Sequence, residues 1–208
     1  MAYQLMRYIF DPLLKKRVTA SGTEHVPQSG PVLFVANHVG WHDPALLFRT
    51  LIVASGYRRI HSVTDWNIFR YEPIRSWVGA IPLHADRSRT FNKARQCLIE
   101  GKPFVIYPEG GINESDTIHS VKSGAARLAL ETHSPVIPAG IRNRSAVPRT
   151  RCRRLLGILT GRVEVRIGEP IPLGQWYGSA MTGQNIRNVT DAIMERVAEL
   201  AGKQYKPL

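Results

Sequence analysis

A chain of 208 residues, 43% of them hydrophobic, can bury one core of ordinary size. With no repeat, linker or low-complexity tract, one compact domain is expected. Lysine and arginine number 28 against 16 acidic residues, a formal charge of +12, which suits a polyanionic partner, either nucleic acid or an anionic bilayer. Cys97 and Cys152 are the only cysteines; they are too few for a disulfide framework and lack metal-type spacing, so a reducing compartment is expected.

The first residues, "MAYQLMRYIFDPLLKKRV", mix Leu5, Tyr8, Ile9, Phe10, Leu13 and Leu14 with Arg7, Lys15, Lys16 and Arg17. They lack the basic start, long apolar middle and small-residue cleavage site of a signal peptide. Residues 1–17 fit an amphipathic, membrane-associating segment, with Pro12 allowing only a short helix or a bend. A terminal helix packed on its own core has the same pattern. No stretch approaches the roughly 20 apolar residues of a spanning helix, so the expected location is soluble or peripheral to a membrane.

Beyond that segment, β-rich runs alternate with helical ones. Pro31–Ala36, Pro103–Tyr107, Pro135–Ile141 and Arg162–Gly168 read as strands, the first three continuously apolar as in a sheet covered on both faces. "RRIHSV" and "VGAIPL" are weaker strand candidates. "DPALLFRTLIV" starts with Asp43 as a cap and Pro44 in the first turn. "RTFNKARQCLIE", "SGAARLALETH" and "NIRNVTDAIMERVAELAGK" carry helical spacing and good helix formers. The expected fold is a single α/β domain with a mixed, largely buried sheet flanked by helices.

Three polar clusters follow strands: "NHVGWHD", "HADRSR" and "PEGGINESD". The ends of strands are natural site positions in such sheets. His38 and Asp43 are five residues apart, about 140° on a regular helix, so they meet only if the chain turns, which Gly40 makes easy. A carboxylate on one ring nitrogen would leave the other as a general base. Spacing alone fits as well a pair that is only a hydrogen bond stabilising a loop, since many polar loop pairs are structural. No G-x-S-x-G elbow supplies a nucleophile, no histidine spacing suggests zinc, and no phosphate-binding P-loop is present. A base without a protein nucleophile suggests direct transfer, in which a deprotonated substrate hydroxyl attacks an activated carbonyl such as a thioester.

These residues resemble the glycerolipid acyltransferases, which include the 1-acyl-glycerol-3-phosphate acyltransferases. "NHVGWHDP" matches their N-H-x-x-x-x-D-P block, and "GAIPLHADR" resembles the second block, which leads to an arginine. "YPEGG" matches F-P-E-G-T-R, "VIPAGI" matches the fourth block, and "KSGAA" stands at the F-K-x-G-A segment. Order and spacing agree from Val18 to Pro172. The resemblance implies an acyltransferase domain over residues 18–208 that uses no cofactor. Its donor would be acyl-CoA or acyl-carrier protein, and its acceptor a lysolipid hydroxyl at the cytoplasmic face of an anionic membrane. It makes His38 the general base and Asp43 its partner. Arg87, Glu109 and Gly110 fall on the acceptor and oxyanion side, with Gly111 and Asn113 beside them in the third block.

Two departures stand out. Gly111, Ile112 and Asn113 replace the usual T-R-[ST], so an arginine linked to the acceptor phosphate is missing, and "HA" moves Arg87 two positions further from Gly79. Arg87, or less directly Arg89 or Lys122, would have to compensate, or the acceptor headgroup differs. A nucleic-acid-binding protein is the competing class. The arginines from Arg142 to Arg154 fit it, but no nucleic-acid motif accompanies them, and none is expected as a partner.

Overall fold

The computed structural model describes residues 11–40, 42–64, 79–119, 121–144 and 161–207. Residues 1–10, Trp41, Cys152 and most of the arginine-rich run lie outside the described residues. Among the described residues, seven strands form one sheet in the order β1-β8-β7-β2-β5-β3-β4. They are β1 (Val18–Ser21), β2 (Val32–Ala36), β3 (His61–Thr64), β4 (Ala80–Pro82), β5 (Pro103–Ile106), β7 (Val136–Asn143) and β8 (Val163–Ile167). A small second sheet pairs β6 (Thr117–Ile118) with β9 (Gln204–Tyr205).

The continuously apolar runs take the middle of the sheet, where both faces are covered. In β2, Leu33 and Val35 face one core and Val32, Phe34 and Ala36 face the other. The first core is covered by α3 (Arg87–Ile99), α4 (Gly124–Thr132) and α5 (Gly183–Ala201), the second by α2 (Asp43–Ala54). The weaker candidates become β3 and β4, toward the sheet's edge. β7 and β8 pair antiparallel while the other neighbours pair in parallel, so the sheet is mixed, as expected. β1 was not anticipated: it is a four-residue edge strand with three exposed positions, which leaves no apolar pattern to read.

Helix boundaries follow their caps. Asp86 accepts from Ser88 N at 2.9 Å and starts α3 at Arg87, two residues before the periodicity suggested. Thr182 accepts from Asn185 N at 3.1 Å and starts α5, which ends at Gly202 in the left-handed region (φ 63°). The short α1 (Asp11–Lys15) is seated on the body of the domain. Leu14 is buried in the second core, and Asp11 accepts from Arg49 Nε at 2.6 Å.

β2, β5, β3 and β4 all run parallel, so their C-terminal ends share one edge of the sheet. β2 and β5 are neighbours there. β4 is three strands from β2, roughly 14 Å at the usual strand spacing.

Candidate active site

At the end of β2 the chain turns sharply before α2, and Asp43 organises the turn. Asp43 is fully buried and belongs to the first turn of α2 instead of capping it. Its Oδ2 accepts from Val39 N at 2.5 Å and Gly40 N at 2.9 Å. His38 Nδ1 lies 3.0 Å from both carboxylate oxygens. The carboxylate thus holds the proton on Nδ1 and leaves Nε2 as the acceptor nitrogen. The His38 side chain retains 19% exposure, so the ring is open to solvent.

Gly40 is needed for a different reason than turn-making. Its backbone is not left-handed; a methyl group there would lie 2.9 Å from Cε1 of the buried His42. Burial pushes the His42 pKa down, so this second imidazole favours its neutral form. Tyr107 packs its ring 4.8 Å from that of His38, tilted by 33°. Burial, reinforced by the negative Asp43, raises its phenol pKa well above the usual value, so it stays neutral too.

The loop after β5 docks directly on this turn. Glu109 Oε1 accepts from His38 N at 3.0 Å, and Oε2 from Asn113 Nδ2 at 2.6 Å. Asn113 N donates to His38 O at 2.7 Å. Glu109 is therefore a brace between the two loops, with both oxygens engaged by the protein. Asn113 also donates Nδ2 to Thr117 O at 2.9 Å, and its Oδ1 accepts from Ser115 N and Oγ. Both amide hydrogens are used by the fold, which leaves none for a ligand.

Gly110 adopts φ 67°, and an added Cβ would sit 2.5 Å from Lys122 Nζ, so the lysine lies across the glycine. Gly111 is exposed, with open space where a side chain would be. Arg87 is exposed at the start of α3, beyond β4. Among the described residues no hydrogen bond or ion pair ties it to the His38 loop. The structure thus joins the first and third polar clusters, while the second stands at the far edge of the sheet.

Asn37 is the residue whose part was missed. It is fully buried, donates Nδ2 to Ile141 O at 2.9 Å and accepts from Ile141 N at 2.7 Å. Its side chain thereby continues the β2–β7 ladder where the main chain of β2 has turned away. Leaving one such buried group unpaired typically costs about 1–3 kcal/mol. A polar residue ending a wholly apolar strand was the available signal, but its partner lies 104 residues away.

Residues 17–142 match the Acyltransferase family. The 1-acyl-sn-glycerol-3-phosphate acyltransferase of Borreliella burgdorferi is 24% identical over 129 residues, covering 61% of this chain and 52% of that protein. The 1-acyl-sn-glycerol-3-phosphate acyltransferase alpha of Homo sapiens is 24% identical over 163 residues, covering 75% and 55%. The chain spans about half the length of the curated relatives it matches. The crystal structure of the 1-acyl-sn-glycerophosphate acyltransferase PlsC from Thermotoga maritima superposes with a TM-score of 0.65 at 20% identity, over 98% of this chain and 84% of that one, a likeness of fold. The matched span contains both loops that meet at His38, and the chain belongs to the Acyltransferase family, with glycerolipid acyltransferases as its relatives.

Proposed function

We propose that the protein transfers an acyl group from an acyl thioester, carried by coenzyme A or acyl-carrier protein, to a hydroxyl of a lysolipid. The observation that carries this reading is the His38–Asp43 pair at 3.0 Å, with the second imidazole nitrogen left to act as base. Nε2 takes the proton of the acceptor hydroxyl as its oxygen attacks the thioester carbonyl. The C–S bond then breaks, and the imidazolium returns the proton to the departing thiolate. No acyl-enzyme forms. Asp43 fixes the tautomer and stabilises the imidazolium while the charge lasts. Glu109 acts indirectly, by holding the main chain of His38 against the Asn113 loop.

A phosphate-bearing acceptor of the lysophosphatidate type is the best-supported choice. The matched relatives are named for 1-acyl-sn-glycerol-3-phosphate, and Lys122 lies across Gly110 in the loop beside His38. The test is product mass spectrometry with acyl-CoA and a panel of lysolipids. Phosphatidate formed from lysophosphatidate, at least about tenfold faster than product from a neutral monoacylglycerol, is the expected result, as loss of charge-assisted hydrogen bonds predicts. Preference for a zwitterionic or neutral headgroup would overturn the acceptor assignment, and no acyl transfer to any of them would overturn the reaction.

We also propose that the protein works at an anionic membrane surface. Among the described residues no helix is long and apolar enough to cross a bilayer. The net charge is +12, and Lys15 and Lys16 are exposed where the N-terminal segment meets the domain. Each basic residue near an anionic surface contributes about 1 kcal/mol, screened by salt. Protein should sediment with phosphatidylglycerol vesicles, be released as salt rises, and bind more weakly once residues 1–10 are deleted. That deletion stops before Asp11 and Leu14, which hold α1 to the domain. Equal binding to neutral vesicles, or indifference to both salt and deletion, would refute the proposal.

A further inference from the structure

The C-terminal end of the described chain returns to the candidate active site. After Gly202, β9 runs parallel to β6, pairing Gln204 with Thr117 and Tyr205 with Ile118. Gln204 N donates to Asp116 O at 2.9 Å, and Lys206 N to Ile118 O at 3.0 Å. This strand fastens the outer part of the loop that begins at Glu109. It also brings in a cation: Lys203 Nζ donates to Asn113 O at 2.9 Å, and the N–H of the same Asn113 donates to His38 O. Asn113 therefore links the Lys203 ammonium to the main chain of His38.

Lys203 is half-buried and, among the described residues, forms no ion pair with a carboxylate. Burial lowers its pKa, and the charges of Glu109, Asp116 and Asp43 act in the opposite direction. An ammonium has three donors, and the bond to Asn113 O uses one. Two donors remain for a ligand. The ammonium lies beside the third block, where Ile112 stands at the place of the arginine and the amide hydrogens of the next residue, Asn113, are both occupied.

We propose that Lys203 binds the phosphate of the acceptor, supplying from the residue before β9 the cation that the third block lacks. The proposal rests on the reading of a phosphate-bearing acceptor. A phosphate could also belong to the donor, so kinetics with each substrate varied in turn separate the two sources. Lys203→Gln keeps a neutral donor for Asn113 O and removes the charge; Lys203→Arg keeps the charge.

For Lys203→Gln the expected result is a KM for lysophosphatidate raised by about tenfold or more, the loss of a charge-assisted contact. The KM for acyl-CoA and the turnover of monoacylglycerol should stay within about twofold, and Lys203→Arg should recover most of the loss, since a guanidinium also serves phosphate. A similar loss with both acceptors would make Lys203 a loop anchor only, and a rise confined to the acyl-CoA KM would assign it to the donor; either overturns the proposal. Titration with glycerol 3-phosphate by calorimetry reads the contact without turnover. Binding by the wild type that Lys203→Gln weakens supports the assignment even if the enzyme prefers another lipid. Equal binding by the two proteins, or none by the wild type, overturns it.

Discussion

Replacing His38 with alanine should lower kcat by a factor of about 10²–10⁴, the usual worth of a general base, with the unfolding midpoint unchanged within error. The ring is partly exposed, and the contacts that hold the turn together belong to other groups: Asp43 on Val39 N and Gly40 N, and Glu109 on the main-chain N–H of His38. Asp43→Asn gives a different signature. All three donors, His38 Nδ1, Val39 N and Gly40 N, fall on Oδ2. An amide that keeps its oxygen there places its NH2 group at the buried Oδ1 position, 3.0 Å from His38 Nδ1. At least one of them would face the NH2 group or lose its partner, at a cost of about 1–3 kcal/mol. The Asn variant should therefore lose both turnover and stability, whereas His38→Ala loses turnover alone. Single-turnover kinetics beside urea unfolding make the comparison. A folded His38→Ala protein with near-normal turnover would dismiss the base; an Asp43→Asn protein of unchanged stability would show that the turn does not depend on the carboxylate.

Gly140→Ala should be among the most destabilising single-methyl additions in this chain, although Gly140 lies outside the proposed chemistry. A Cβ at Gly140 would stand 2.2 Å from Leu200 C and 2.3 Å from Ala201 N. Those are backbone atoms near the end of α5, which cannot swing aside as a flexible side chain would. Overpacking typically costs 1–3 kcal/mol and occasionally more, and the upper end, about 3 kcal/mol, is expected here. For a chain of this size that corresponds to a fall in Tm of roughly 6–12 °C. Displacing α5 would also move Gly202 and Lys203 away from Asn113, so the variant should lose activity on phosphate-bearing acceptors before it unfolds. A change in stability below about 0.5 kcal/mol, the range of an ordinary surface substitution, would mean that the close seating of α5 on β7 does not occur in solution.

The α/β class, the central strands and the candidate histidine–aspartate turn are legible before any folding, because each is written in short-range pattern. An unbroken apolar run such as Val32–Ala36 can be buried only where both faces of a sheet are covered. His38 and Asp43 are close enough in sequence for one turn to join them. The matching of ordered blocks added the family, which physical patterning alone left open among several chemistries. What those blocks touch emerges only in the folded chain. That Asn37 completes a strand ladder, that Glu109 braces His38, and that Lys203 reaches Asn113 depends on contacts across 104, 71 and 90 residues. The same holds for the second polar cluster: its place after a strand was legible, but its distance from the other two follows from the strand order, which puts β5 and β3 between β2 and β4. Local propensity fixes backbone dihedrals and burial over a few residues. Which distant N–H meets which carbonyl is fixed by strand register and helix seating, and those are settled only when the whole core packs.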